Sequence, residues 1–446
     1  MKKTLCILFL IPLVLALISQ VPRVVSDPTF WTYRGILVMI TGFLTVSWMA
    51  IAVILSTRKA WLEQKLGGLD KVYHLHKWVG IWAGICVLLH WLAETGVKKV
   101  GQWGIAELPP RIKAPKTGDP TPIYDWFKDF FQFCGEWAFY IGAILIIIAL
   151  LKRSIPYKYF RLSHKIFPII AIMGCGHALF FTLRSQTYWV QPIGWYTTII
   201  AVWAIIISVM VLAGKLGKNK QMKAQITNFA KGTDGTLDLT LTAPDWKGHQ
   251  AGQFLFIHFG DNVAKYEGAH PFTIASAWDS TKKTIRLGIK PLGDFTKILP
   301  NLIQKNQTVR IEGPYGDFVF KDDDLSPQLW VAGGVGVTPF IARLEDLAQK
   351  NITRANVDFF CSLRDDKAHF IKEMRELSQK TGVRLHLWLN EVEGTVLKLE
   401  TISAEFKPDT KVYFCGPFQW GENLLQHLKT KGLSEKNFLR ERFEFR

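Results

Sequence analysis

Cysteine is scarce: six occur in 446 residues, at Cys6, Cys86, Cys134, Cys175, Cys361 and Cys415. They form no CxxC pair and no other metal-like spacing, so no disulfide framework is implied. Internal repeats and low-complexity tracts are also missing, which excludes a repeat array. Acidic residues are in deficit, with 37 Asp and Glu against 54 Lys and Arg and a formal charge of +17. That sign could suggest nucleic acid. The basic residues, however, gather in short stretches between apolar runs, where they read as topology signals and leave nucleic acid out. In abundance are hydrophobic residues, 49% of the chain, and 17 tryptophans, an unusually aromatic composition for a soluble protein. The length predicts two or three domains.

The texture of the chain changes near residue 217. Before it lie apolar stretches at about 5–20, 33–55, 72–93, 134–151, 160–182 and 193–213, most of them near the ~20 residues that span a bilayer. Six transmembrane helices are expected. The first, after Met1-Lys2-Lys3, has no A-x-A-like cleavage site and reads as an uncleaved anchor. "STRKAWLEQK", "LKRSIPYKYFRLSHK" and "GKLGKNKQMK" are densely basic, and an even number of spans puts all three on the side of Lys2 and Lys3, the expected cytoplasmic side. The opposite loop, about 94–133, also carries lysines, diluted there with Asp and Glu. After residue 217 come short alternating strands such as "TLDLTLT" and "QFLFIHF", then strand and helix alternation from "QLWVAGG" onward. The expected fold is an all-α six-helix membrane bundle (1–217), an antiparallel β-barrel (218–322) and a Rossmann-like α/β domain (323–446).

Histidine is costly inside a membrane and usually functional there. The third apolar stretch holds His76 and His90, with no carboxylate between them, and the fifth holds His164 and His177. Fourteen residues of helix are about 40° short of four turns and rise about 21 Å, so His76 and His90 share a face at opposite depths. From His164 to His177 an ideal helix misses the same face by a wide angle; Pro168, Gly174 and Gly176 between them offer a kink or local rewinding. Two helices so furnished can clamp two iron porphyrins, His76 with His164 and His90 with His177. The rival readings are hydrogen-bonded packing histidines and a histidine-lined proton path. His74 falls on nearly the opposite face from His90 and reads as interfacial.

The segments "HKWVGIWAGICVLLH" and "HKIFPIIAIMGCGH" resemble the paired histidine helices of the NADPH oxidase and ferric reductase family, of bacterial type. The resemblance covers nearly the whole chain. It implies a haem domain with two haem b groups in a bacterial inner membrane, fed from a cytoplasmic flavin dehydrogenase.

In the second half, "HPFTIAS" after a "GQF" turn resembles the flavin-binding strand of the ferredoxin reductase superfamily, which assigns His270, Pro271, Phe272 and Thr273 to FAD. "PLGDFT" follows, where Gly293 permits close backbone approach and Thr296 lies near a helix start whose free N–H groups suit a pyrophosphate. "EGPYG" fits the end of the barrel. "LWVAGGVGVTPF" reads as strand, glycine loop and helix, bringing Gly333, Gly334, Gly336 and Thr338 to a dinucleotide phosphate; G-G-x-G departs from G-x-G-x-x-G, and a tight structural turn explains it almost as well. It resembles the GGxGxTP loop of the same superfamily, and "FCGP" (Cys415, Gly416, Pro417) resembles its nicotinamide-side motif. Ser362 and Arg364 stand where that superfamily often holds the 2′-phosphate of NADPH, with NADH as the alternative, since Asp365 and Asp366 follow. Phe445 is the candidate to stack on the flavin.

The reading is a transmembrane oxidoreductase that moves electrons from NAD(P)H through FAD and two haems to an acceptor on the opposite face. Dioxygen, a ferric chelate and a partner redox protein all remain open as acceptors. The rival from another class is an electron-delivery subunit for a separate periplasmic enzyme. A proton path leaves the flavin motifs unexplained.

Overall fold

A backbone in hydrocarbon has no water to bond, so apolar runs of this length must satisfy their own N–H and C=O groups as helices. The computed structural model describes residues 2–110, 122–151, 157–215, 221–260, 268–365 and 370–440. Residues 1–66 and 71–219 form one compact unit and residues 220–445 belong to another. The first contains α1 (Lys2–Ser26), α2 (Phe30–Leu55), α3 (Ala60–Leu66), α4 (Leu69–Trp91), a π-helical turn (Leu92–Gly96), α5 (Val97–Gln102), α6 (Pro122–Leu150), α7 (Tyr157–His164), α8 (Phe167–Leu183) and α9 (Pro192–Leu212). Among the described residues, six segments are long and apolar enough to cross a membrane: Cys6–Ser26, Phe30–Leu55, Lys71–Gln102, Ile123–Leu150, Tyr159–Leu183 and Pro192–Leu212.

Three of these depart from the sequence expectation. The third runs to Gln102, because the π turn carries the helix on and Arg34 of α2 pairs with Glu94 at 2.6 Å, neutralising the charge that marked an end. The fourth begins at Pro122, since proline suits a first helical turn and Asp125 complements the helix N-terminus. Asp125, Lys128 and Asp129 hide that start from a reading by apolarity. The fifth is broken after His164 and resumes at Phe167, with Pro168 in the new first turn, while Gly174 and Gly176 stay within regular helix. On α9, Thr197, Ala201, Ala204 and Ser208 are buried on one face, which lets α8 and α2 pack closely, and Trp195, Ile199, Trp203 and Ile206 point outward.

The second unit contains β1 (Gln221–Lys231), β2 (Leu237–Thr242), β3 (Phe254–His258), β4 (His270–Thr273), β5 (Thr284–Ile289), α10 (Asp294–Leu302) and β6 (Thr308–Tyr315). The strands run antiparallel in the order β4-β3-β6-β1-β2-β5. The two edges meet where Ala275 N–H donates to Arg286 O at 2.7 Å beside the Ile274–Leu287 bridge, so the sheet closes on itself. Leu237, Leu239 and Leu241 alternate inward into its core.

The α/β part follows with β7 (Gln328–Gly333), α11 (Thr338–Gln349), β8 (Val357–Leu363), α12 (Ile371–Thr381), β9 (Arg384–Leu389), α13 (Asn390–Glu393), α14 (Leu399–Ile402), β10 (Lys411–Cys415), α15 (Phe418–Thr430) and β11 (Phe438–Arg440). Its strands are parallel in the order β11-β10-β7-β8-β9, so the strand order reverses at β7, where open α/β sheets bind ligands.

A charged clasp joins the barrel to the α/β part. Arg286 on β5 bonds Asp238 of β2 at 2.8 Å and Glu373 of α12 at 2.6 Å, and lies 3.7 Å from Glu345 of α11. The Ala277 N–H donates to Glu345 at 2.8 Å. Burial first, and the Glu373 carboxylate after it, push the Glu345 carboxyl up from 4.5 to about 7, against the pull of the Ala277 N–H and Arg286. A carboxyl raised on folding contributes stability that is complete below its unfolded value and lost as pH rises through the folded one. The second unit is therefore expected to lose thermal stability between about pH 4.5 and pH 7, the window of that shift. Glu345→Gln, which keeps an acceptor for Ala277, should flatten the profile. A melting series across that range checks it; an unchanged slope in the variant defeats the assignment.

Candidate functional site

The four membrane histidines meet in the predicted pairs. The His76 and His164 rings lie 5.9 Å apart between centroids, at 61°; those of His90 and His177 lie 6.4 Å apart, at 89°. α8 packs along α6, α9 and α2. Among the described residues it has no comparable run of contacts with α4, which it meets through His177 and His90, while α7 meets α4 through His164 and His76.

Backbone carbonyls orient three of the rings. His76 Nδ1 lies 2.9 Å from Ala52 O, His90 Nδ1 2.8 Å from Val38 O, and His177 Nδ1 2.8 Å from Phe131 O. A carbonyl can only accept, so each Nδ1 carries the proton and each Nε2 keeps its lone pair free. The two outer histidines use the same kind of seat, a carbonyl with a glycine one turn further along the helix. A Cβ on Gly42 would stand 3.2 Å from the His90 ring, and one on Gly135 would stand 2.4 Å from His177 Nδ1. His164 is the exception: its Nδ1 is buried without a hydrogen-bond partner. One turn outward from His90, Arg34 reaches both the carboxylate and the carbonyl of Glu94.

The donor set fits axial ligation of a haem iron. Two imidazole nitrogens at about 2 Å from one metal leave roughly 6 Å between ring centres, close to what both pairs display. Hydrogen-bonded Nδ1 atoms are also the usual support of metal-bound histidine. Among the described residues no three His, Cys, Asp or Glu side chains gather as a protein-only metal site would need. His74 lies beside Trp78, ring centres 6.4 Å apart, outside both pairs.

On the barrel, Thr273 is buried opposite Phe254 in the β3–β4 ladder, Pro271 and Phe272 are half-buried, and His270 stacks on Phe295 at 3.9 Å. Gly293 caps α10. The Thr296 hydroxyl turns back onto that cap, 3.0 Å from Gly293 N, so it serves the helix start rather than standing free before it.

The glycine loop follows β7 as a tight turn, with Gly334 at φ +58°, and α11 begins at Thr338. It packs directly on the FCGP loop at the end of β10. A Cβ on Gly336 would stand 2.1 Å from Cys415 O, and one on Gly333 2.9 Å from Pro417. A Cβ on Gly416 would stand 3.2 Å from Gly333 N. Ser362 donates to Asn390 Oδ1 at 3.2 Å, and Arg364 bonds Glu391 at 2.6 Å. Phe445 lies outside the described residues.

Two residues at this edge escaped the sequence reading. The Lys290 ammonium lies 3.5 Å from where a Cβ on Gly334 would be, a cation beside the candidate phosphate loop; its place just before "PLGDFT" was the available signal. Glu391 had none, being 27 residues from Arg364 in the chain.

Comparison with known proteins adds the following. Residues 41–175 match the ferric reductase like transmembrane component, residues 218–319 an FAD-binding domain and residues 330–422 an oxidoreductase NAD-binding domain. Terephthalate 1,2-dioxygenase, reductase component 1, of Comamonas sp is 35% identical over 106 residues, covering 24% of this chain and 30% of that protein. The mitochondrial ferric reduction oxidase 8 of Arabidopsis thaliana is 32% identical over 128 residues, covering 26% of this chain and 17% of that one. A probable ferric reductase transmembrane component of Candida albicans is 27% identical over 278 residues, covering 60% of this chain and 39% of that one. The chain thus spans well under half the length of each of these relatives.

The glycine seat is testable within one helix. On α6, Gly142→Ala puts its Cβ 3.5 Å from Ile170, an ordinary contact, whereas Gly135→Ala collides with His177. If His90 and His177 hold a haem, Gly135→Ala should lower the haem bound per chain by about one, and Gly142→Ala should not. Soret absorbance against protein concentration reads it; equal loss, or none, in both variants overturns the role given to Gly135.

Proposed function

Because the chain belongs to the ferric reductase family, with that family's transmembrane component joined to FAD-binding and NAD-binding domains, we propose that it carries electrons from NAD(P)H across a bilayer to a small acceptor on the opposite face. It is an integral membrane protein and an NAD(P)H-dependent oxidoreductase. The acceptor proposed is a ferric chelate, or dioxygen reduced to superoxide. Each NAD(P)H releases two electrons and one proton, so two ferric ions, or two dioxygen molecules, are reduced per nucleotide oxidised.

The observation that carries this reading is the imidazole pairing at two depths of one bundle. FAD and haem, when bound, would supply the conversion of a two-electron hydride donor into single electrons, and the residues of this chain would hold them between the nucleotide site and the opposite face. His76 with His164 would hold one haem b, and His90 with His177 the other. The protonated Nδ1 atoms keep three of the rings turned toward their partners. Pro271, Phe272 and Thr273 would line the flavin, with Gly293 and Thr296 at its phosphate side. Gly333, Gly334, Gly336 and Thr338 would meet the dinucleotide phosphates, and Cys415, Gly416 and Pro417 the nicotinamide. No side chain has to act as nucleophile or general acid in this scheme; the residues bind and orient.

The modules proposed are 1–217, 218–322 and 323–446. Basic segments on the side of the N-terminus support a cytoplasmic dehydrogenase and a membrane of the bacterial inner type. A second reading, delivery of electrons to a separate redox protein, is favoured by one observation: the Comamonas relative is named as a reductase component.

Purified protein is expected to hold about two haems per chain, by pyridine haemochrome assay, as two axial pairs require. Vesicles given NADPH or NADH on the dehydrogenase side should reduce an impermeant ferric chelate on the far side. Reduction that persists without oxygen and ignores superoxide dismutase identifies the chelate as acceptor; reduction only in air, abolished by dismutase, identifies dioxygen. Reduction confined to the nucleotide side rejects the transmembrane scheme.

A further inference from the structure

The carboxyl edge of the parallel sheet has a feature that bears on which nucleotide it takes. In the β7–β8 ladder, Ser362 lies opposite Gly333. The chain leaving β8 therefore runs beside the glycine loop. A dinucleotide whose pyrophosphate meets that loop brings its adenosine ribose to the end of β8, where an acidic residue suits a 2′-hydroxyl and an arginine suits a 2′-phosphate.

Both kinds of residue stand here, and they are bonded to each other. Arg364 Nε donates to Glu391 Oε1 at 2.6 Å, and the Glu391 N–H donates to Arg364 O at 2.9 Å. The backbone bond holds the Glu391 main chain beside Arg364, so its carboxylate stays within reach of this spot. Ser362 is likewise engaged, with Asn390. Asp365 adds a second negative charge beside the guanidinium. A 2′-phosphate carries about −1.5 to −2 charge at neutral pH and would have to displace one carboxylate while lying near another. A ribose hydroxyl meets no such obstacle, because it can donate to the Glu391 carboxylate with the ion pair intact.

We infer that Glu391, held against Arg364, makes this chain select NADH over NADPH. The inference rests on the proposed reading of NAD(P)H as electron donor and narrows it to one nucleotide. It also changes the part expected of Arg364, which partners a carboxylate instead of awaiting a phosphate. The pair is largely exposed, with side-chain exposures of 82% and 53%, so it adds little to stability and substitutions there report on binding.

The test uses the purified full chain with FAD, titrated calorimetrically with NAD+ and, separately, NADP+, so that binding is read without turnover. Wild type should bind NAD+ at least about tenfold tighter, the scale of one charge-assisted hydrogen bond gained or lost. Glu391→Gln should cut that ratio by about tenfold, chiefly through tighter NADP+, and adding Arg364→Ala should remove the gain. Equal or better binding of NADP+ by wild type, no detectable binding of either, or an unchanged ratio in Glu391→Gln overturns the inference. Anaerobic bleaching of the flavin by NADH, followed in parallel, reads the donor role separately. Selectivity without bleaching would leave Glu391 as the discriminator and remove the proposed function.

Discussion

Three hydrogen bonds to backbone carbonyls decide what the membrane unit can do. An imidazole in an apolar interior has two nitrogens and needs a use for both. Ala52, Val38 and Phe131 each accept a hydrogen bond from one, and the other keeps its lone pair in a ring 5.9 or 6.4 Å from its partner. The contacts on α2 descend the chain as those on α4 ascend it, so Ala52 with His76, Val38 with His90 and Arg34 with Glu94 are successive rungs of one antiparallel pair. Two helices locked in that register hold both of α4's histidines at once. The carbonyls involved are also helix acceptors, and the small residues beside them, Gly42 and Gly135, make room for the intruding ring.

The dehydrogenase unit relies on a different device, close approach of backbone to backbone. The loops after β7 and β10 touch through Gly336, Cys415, Gly333 and Gly416. Lys290 reaches that edge from the barrel side and Arg286 fastens the two parts together. The clasp carries more carboxylates than cations, and burial first, with the neighbouring Glu373 carboxylate after it, raises the protonation point of Glu345.

Much of this was legible in the sequence, for reasons that differ from residue to residue. His76 and His90 could be placed on one face by arithmetic because α4 is regular between them. His164 and His177 could be suspected but not reconciled: their spacing fits no single helix, and the break at residues 165–166 is announced only by Pro168, which could equally have marked a kink. The start of α6 was concealed because charge and apolarity share its first turns. Glycine order revealed a close approach of backbones after β7, since a missing side chain is itself the signal when backbones must touch. The carbonyl seats, the Arg286 clasp and the Arg364–Glu391 pair join residues far apart in the chain, and no local pattern encodes them.

The regular stretch of α4 and the π turn after it divide the helix by its tolerance of changed length. One residue inserted between His76 and His90 would rotate the second imidazole by about 100° and lift it about 1.5 Å, off the Val38 carbonyl and away from His177. The same insertion beyond Leu92 would spare both imidazoles and displace Glu94 from Arg34, in a segment whose winding is already relaxed. Substitution is thus permitted along most of the span, while insertion and deletion are admitted only past its outer histidine. Grafts or loop exchanges on the outer face should begin there.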